Sequence, residues 1–319
     1  MCLKRKECVL KLSFNEIIGN NENKQILIST IENEKVLHSY LFMGTDGIGK
    51  KMFAIQFAKM ILCNEKSQEK PCNKCKSCIQ FSSGNNPDFF LVEPEGNSIK
   101  INQVRQLMKT TLEKPVESNK KVYIINNAHT MTKEAQNCIL KTLEEPPEYV
   151  VIILIASGEN NILTTIKSRC TKLYFNSLSD DEIKQYINKK LNINVYDDEI
   201  LKLCNGSITK AEEVVQKQEL LEKIKHFIIN IEEISQLEFI KQSQILNDNK
   251  EDVLLILEYI YIILFYKAKR VSNINGYINA MKAVQEAINK LGISNNFDMT
   301  IDYMLIKIWG EINEENNRG

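Results

Sequence analysis

Neither sign of charge is in excess: 41 lysines and arginines stand against 41 aspartates and glutamates over 319 residues, leaving no net charge. Attraction of the whole molecule to a polyanion such as nucleic acid is therefore not built in, and any such contact has to be local. Nor do basic and aromatic residues interleave into a patch; Tyr259, Tyr261, Phe265 and Tyr266 read as helix-packing residues rather than as a base-stacking platform. No apolar run suits a bilayer, since the most membrane-like stretch, 253–266, is too short and carries Glu258, so it reads as a buried helix. Lys4, Arg5 and Lys6 have no apolar segment behind them, which argues against a secretory signal and for the cytoplasm. Histidine is scarce, at three residues, and no serine or cysteine nucleophile accompanies His38 or His129 in a recognisable motif. Repeats and low-complexity tracts are lacking too; the asparagine-rich stretches 192–194 and 313–317 read as solvated turns or a tail.

Cysteine is plentiful, with nine residues, and in a long chain without a signal these read as reduced thiols. Cys63, Cys72, Cys75 and Cys78 follow a C-x8-C-x2-C-x2-C pattern. Two-residue gaps let thiolates converge on one tetrahedral ion while the longer gap closes a loop, and four sulfurs leave no open position for water. The pattern predicts structural zinc. Iron–sulfur ligation uses related spacings and stays as an alternative; a set of unrelated free thiols is disfavoured because thiols this dense invite oxidation. Cys2, Cys8, Cys138, Cys170 and Cys204 are scattered and receive no metal role.

Gly44-Thr45-Asp46-Gly47-Ile48-Gly49-Lys50-Lys51 reads as a phosphate-binding loop with one change. In such loops glycines let backbone N–H groups curl around phosphates, a lysine neutralises them, and the next residue, a serine or threonine, positions magnesium. Gly44, Gly47, Gly49 and Lys50 keep the cradle, but Lys51 stands where the hydroxyl belongs. The second metal ligand is normally an acidic residue ending a hydrophobic strand; here the run Val122-Tyr123-Ile124-Ile125 ends in Asn126-Asn127. Asn126 lacks the charge that favours a metal, Asn127 has no basic carboxylate for water, and Lys51 adds a positive charge nearby. Hydrolysis needs the metal and the carboxylate, so this site is not expected to turn over ATP. Whether it still holds a nucleotide or is vestigial stays open.

Strand and helix signals alternate through the first half: strands at 38–43, 89–92, 121–126, 150–155 and 171–175, helices at 51–62, 102–112 and 133–143. That alternation implies a parallel sheet covered by helices, an α/β class. Beyond residue 175 only helices are expected, at 180–191, 197–204 and 210–218, then at 220–230, 237–247, 251–270, 274–291 and 299–312.

Phe14-Asn15-Glu16-Ile17-Ile18-Gly19-Asn20, His38-Ser39-Tyr40-Leu41-Phe42, the four-cysteine insertion, Leu140-Lys141-Thr142-Leu143-Glu144-Glu145-Pro146-Pro147 and Ser168-Arg169-Cys170 follow one another in an order that resembles bacterial DNA polymerase III clamp-loader subunits of the AAA+ class. The likeness is strongest over 14–175 and weaker at the end, where Asn295-Asn296-Phe297-Asp298-Met299 leads into Met304-Leu305. Two kinds share this layout, the gamma/tau motor subunit and the delta-prime subunit, and the degraded metal positions favour the delta-prime kind. The resemblance implies an AAA+ P-loop NTPase-like domain at 1–175 with a zinc insertion at 63–78, an all-α lid at 176–218 and an all-α collar at 219–319. It implies a hetero-pentamer with gamma/tau motor subunits and a delta subunit that loads a sliding clamp onto primed DNA, the polymerase activity belonging to the assembly. Arg169, within Ser168-Arg169-Cys170, would act in trans as an arginine finger on a neighbour's ATP. Lys210 stands where motor relatives carry a phosphate-sensing arginine, though a solvated lysine explains it equally well. An ATP-hydrolysing motor and a zinc-dependent nucleic-acid-binding regulator are the competing readings.

Overall fold

The computed structural model describes residues 16–65, 70–191, 197–242, 244–271, 274–291 and 296–313. The start of the chain, Cys2 and Cys8, Phe14 and Asn15, the turn at 192–194, Asn295 and the tail 314–317 lie outside them. Two compact units divide the chain, Met1–Glu182 and Ile183–Gly319.

The first unit is built on five parallel strands: β1 (Ser39–Met43), β2 (Phe89–Val92), β3 (Lys121–Ile125), β4 (Val150–Ala156) and β5 (Thr171–Tyr174), in the order β2-β3-β4-β1-β5. Parallel strands joined by crossover helices are covered on both faces, which explains why β1, β3 and β4 are buried along their whole length. Side-chain alternation sorts them between two cores. Tyr40, Phe42, Val122, Ile124, Val151 and Ile153 enter one with Phe53 and Phe57, and Leu41, Met43, Tyr123, Ile125, Ile152 and Leu154 enter the other with Val104, Ile139 and Ile166. The helices of this unit are α1 (Asn21–Glu32), α2 (Lys50–Ile61), α3 (Lys76–Ser82), α4 (Ile101–Thr110), α5 (Lys133–Glu144) and α6 (Thr164–Lys167), with α7 (Asp180–Tyr186) starting at its end. This is the expected α/β arrangement, and strand ends agree with the sequence reading to within a residue or so.

Helices α1 and α3 and the four-residue α6 are additions to that reading. Asn23, Leu27 and Ile31 recur every four residues and make the buried stripe of α1, a spacing visible in the sequence. Side chains tie α1 to the end of β5: Asn23 Nδ2 donates to Tyr174 O (2.8 Å) and Asn20 Nδ2 to Asn176 O (3.0 Å). Helix α3 lies inside the cysteine insertion, capped by Cys75, whose sulfur accepts from Cys78 N.

A buried carboxylate fastens the insertion's surroundings. Asp88, fully buried just before β2, accepts from the backbone N–H groups of Val116 (2.8 Å), Glu117 (2.8 Å) and Ser118 (2.7 Å). Ser118 Oγ then donates to Leu62 O (2.9 Å), which also accepts from Ser77 Oγ (2.7 Å). Asp88→Ala strands three donors, and hydrogen bonds to charged groups contribute about 1.5–3 kcal/mol each without adding fully. The expected loss is about 3 kcal/mol or more in the first unit, read from the urea midpoint of circular dichroism; Trp309, the sole tryptophan, reports only on the second unit. An unchanged midpoint would show that the 116–118 loop is held some other way.

The second unit is helical: a π-helical turn at Ile187–Leu191, then α8 (Asp198–Cys204), α9 (Ile208–Gln216), α10 (Gln218–Ile229), α11 (Gln236–Gln242), α12 (Gln244–Asp248), α13 (Val253–Ala268), α14 (Ile274–Leu291) and α15 (Phe297–Asn313). Helix α13 packs against α8, α10 and α14, which accounts for its nearly uniform apolar sequence. Tyr259 is in that core and Tyr266 is half-buried, whereas Tyr261 and Phe265 are more than a third exposed, so the packing assigned to the aromatic group holds within the unit for Tyr259 and in part for Tyr266. No described helix is long and apolar enough to cross a membrane.

Candidate functional site

Strand β1 delivers the glycine loop to the carboxyl edge of the sheet, between β4 and β5, where open α/β sheets bind ligands. Gly44 has to be glycine: its φ is +154°, and a Cβ there would stand 2.3 Å from Phe175 O. Gly47 and Gly49 also take positive φ. Lys50, the first residue of α2, is 5% exposed and donates to Gly44 O (2.7 Å) and Thr45 O (2.6 Å), with Asp46 Oδ1 at 3.6 Å. Burial lowers its pKa from the ordinary lysine value, and the Asp46 charge pulls the other way.

The structure brings Lys51 and Asn126 to one point. Lys51 Nζ lies 2.7 Å from Glu93 Oε1, and Asn126 Nδ2 donates to the same oxygen at 3.1 Å. Asn127 turns the chain away in a left-handed conformation, φ 54° and ψ 45°, which asparagine tolerates better than most residues. This donor set does not suit magnesium, a hard cation that takes oxygen ligands. An ammonium fills the hydroxyl position, an amide nitrogen points where a carboxylate would, and the carboxylate oxygen near them is already shared by two donors. Glu93 was not singled out in the sequence, although the rule applied to β3, an acidic residue just past an apolar strand, finds it when applied to β2.

At the opposite edge of the sheet, the turn between α6 and β5 carries Ser168, Arg169 and Cys170. Arg169 O accepts from Ser39 Oγ (2.7 Å) at the start of β1. Its guanidinium, 33% exposed, contacts Glu144 Oε1 through Nη2 (2.8 Å) and donates through Nη1 to Thr165 O (2.9 Å) and Ser168 Oγ (3.4 Å). The Leu143-Glu144-Glu145-Pro146-Pro147 segment and the Ser168-Arg169-Cys170 turn, separate motifs in the sequence, are therefore joined through Glu144. Cys170 is buried, and that burial pushes its thiol up to about 11.

Cys63, Cys72, Cys75 and Cys78 gather their sulfurs within 4.8 Å of one another. Four sulfurs at about 2.3 Å from one tetrahedral ion lie about 3.8 Å apart, so this set fits zinc. Backbone N–H groups of Cys72, Cys75 and Cys78 point at the sulfurs of Cys63 (3.4 Å), Cys72 (3.3 Å) and Cys75 (3.4 Å), an arrangement that favours thiolates. A hydrogen bond from Cys78 holds the Cys63 thiol below the ordinary thiol range, while the same bond and burial push Cys78 up.

The family model described as "DNA polymerase III, delta subunit" matches residues 19–179, half of the chain. The chain belongs to this family. Among relatives of the DNA polymerase III subunits, it is 35% identical over 198 residues to subunit delta' of Bacillus subtilis, an alignment covering 62% of this chain and 60% of that protein. It is 33% identical over 219 residues to subunit gamma/tau of Mycoplasma pneumoniae, covering 67% of this chain and 31% of that protein. The matched stretch thus spans 60% and 31% of these relatives' lengths, less than two thirds of either. A gamma subunit-related protein of Thermotoga maritima shares the fold, with a TM-score of 0.53 at 18% identity over 90% of this chain and 99% of that one.

As a member of the DNA polymerase III subunit family, the chain keeps the AAA+ type of sheet, and two further side chains singled out in the sequence have partners within the fold. His129 is hydrogen-bonded through both ring nitrogens to Ser157, accepting from its N–H at Nδ1 (3.2 Å) and lying 3.1 Å from its Oγ at Nε2. Lys210 forms an ion pair with Glu258.

Proposed function

We infer that this chain is a non-catalytic, delta-prime-type subunit of a DNA polymerase III clamp loader, helping to load a sliding clamp onto primed DNA and offering Arg169 to the ATP of a neighbouring motor subunit. One observation carries the reading: Arg169 and the glycine loop lie at opposite ends of β1. Its backbone bonds to Ser39, where β1 begins, and the loop starts at Gly44, where β1 has ended. At 3.3 Å per residue the separation is about 16 Å, beyond the reach of an arginine side chain. A phosphate met by Arg169 therefore belongs to another chain. The Lys51, Glu93 and Asn126 cluster supports the same reading by opposing metal-assisted hydrolysis in cis.

The proposal extends to the remaining organisation. Residues 1–175 form the AAA+ domain with a structural zinc on Cys63, Cys72, Cys75 and Cys78; 176–218 form a helical lid and 219–319 a collar that holds the chain in a hetero-pentamer with gamma/tau and delta subunits. Contact with DNA runs through the assembled ring, and the compartment is the cytoplasm. The gamma/tau relatives favour a motor as the second reading, and turnover separates the two. With magnesium, the purified chain is expected to hydrolyse no more ATP than its Lys50→Ala variant, yet to raise clamp loading when added to motor and delta subunits. Hydrolysis that Lys50→Ala abolishes would make it a motor.

A further inference from the structure

The glycine loop holds a buried cation that is poorly matched. Lys50 is 5% exposed, its ammonium is hydrogen-bonded to neutral carbonyls, and the nearest carboxylate, Asp46 at 3.6 Å, is 69% exposed. Asp46 is its ion-pair partner, but solvent screens that carboxylate, so the buried ammonium is only partly neutralised. Beside it the metal position has the opposite character, because a cation is already there: Lys51, fixed by Glu93 Oε1 and flanked by the Asn126 amide. Glu93 is 47% exposed and Lys51 34%, and an ion pair that open holds its partners weakly, leaving the ammonium able to turn toward a stronger anion.

We propose that the Gly44–Lys51 loop binds a nucleoside polyphosphate without a divalent metal, Lys50 meeting the phosphate nearest the loop and the Lys51 ammonium taking the charge-neutralising place of magnesium. This deepens the non-catalytic reading. A single positive charge on a flexible stem neutralises phosphate oxygens but does not clamp two phosphates in the geometry of an octahedral ion, so binding is separated from hydrolysis. Magnesium gains no purchase from Asn126 and is repelled by Lys51, so its addition brings no tighter binding.

The test is equilibrium binding of ATP and of ADP to the full chain in buffer freed of divalent metal on a chelating resin, and again with excess magnesium. A soluble chelator is avoided because it would compete for metal at the four cysteines. Wild type is expected to bind at least as tightly without magnesium as with it, because added magnesium complexes the free nucleotide and cuts the charge that Lys50 and Lys51 meet. Lys51→Ser is expected to bind roughly tenfold or more weakly without magnesium than with it, and Lys51→Gln, which keeps the stem but not the charge, to bind roughly tenfold more weakly in either buffer. Should Lys51→Ser not fold, wild type and Lys51→Gln decide the matter. Wild-type binding that requires magnesium, or no binding in either buffer, would overturn the inference and leave the proposed function standing. Magnesium-dependent hydrolysis by the chain alone would overturn both.

Discussion

Arg169→Ala in a reconstituted loader is expected to leave the complex assembled and to lower ATP turnover at the adjoining motor site by about 10³-fold or more, the range over which an arginine supplied in trans acts on phosphoryl transfer. Assembly is spared because Arg169 sits in a turn at the edge of the first unit and its guanidinium bonds only to Glu144, Thr165 and Ser168 among the described contacts. The pairing with Glu144 does not trap it: both partners are a third to a half exposed, and such pairs contribute about 0–1 kcal/mol, well below what a guanidinium gains on a developing phosphate charge. Glu144→Gln should accordingly keep most of the turnover. Arg169→Lys should not rescue the alanine variant, because a point charge lacks the planar fork that spans two phosphate oxygens. Measurement of single-site turnover in the purified complex checks both. Undiminished hydrolysis by Arg169→Ala would remove the trans role.

The second large effect concerns the metal. Purified protein should contain about one zinc per chain, and Cys75→Ser should lose it. Cys75 is the informative choice because Cys63 and Cys78 are buried and their replacement would also disturb packing. Zinc contributes on the order of 10 kcal/mol when it folds an isolated finger. Here the insertion is also fastened by Ser77, Asn86 and Ser118 to the sheet domain, so a smaller loss is expected, about 3–5 kcal/mol, or roughly 10 °C in the melting temperature of the first unit. Elemental analysis and calorimetry read the two quantities. A folded wild type that carries no metal, or a Cys75→Ser variant that keeps it, would discard the zinc assignment.

What the sequence made legible follows its periodicity. Strands β1, β3 and β4 are continuous apolar runs, because crossover helices bury both faces, and such runs are hard to mistake. Helix α1 was missed although Leu27 and Ile31 keep the helical spacing, because the third buried position is Asn23, a polar residue whose amide is spent on the Tyr174 carbonyl. At the site, the replaced residues Lys51 and Asn126 were readable one by one. Their common partner Glu93 was not, since the convergence of β2, β3 and α2 on one oxygen is a product of sheet order, and spacing along the chain does not encode it. The meeting of Glu144 with Arg169 escaped for the same reason.

The bonds that Ser77 and Ser118 make to Leu62 O have one more consequence. A helix closes with carbonyls that have no partner of their own, and α2, which opens with Lys50, meets this difficulty just where the insertion begins. Two hydroxyls, one lent by the cysteine segment and the other by the loop that Asp88 anchors, satisfy its terminal oxygen. The thiol-bearing excursion thereby acts as the stopper of the rod whose other end faces the glycines. Excising residues 63–78 would remove the Ser77 hydroxyl and leave the end of α2 held by Ser118 alone.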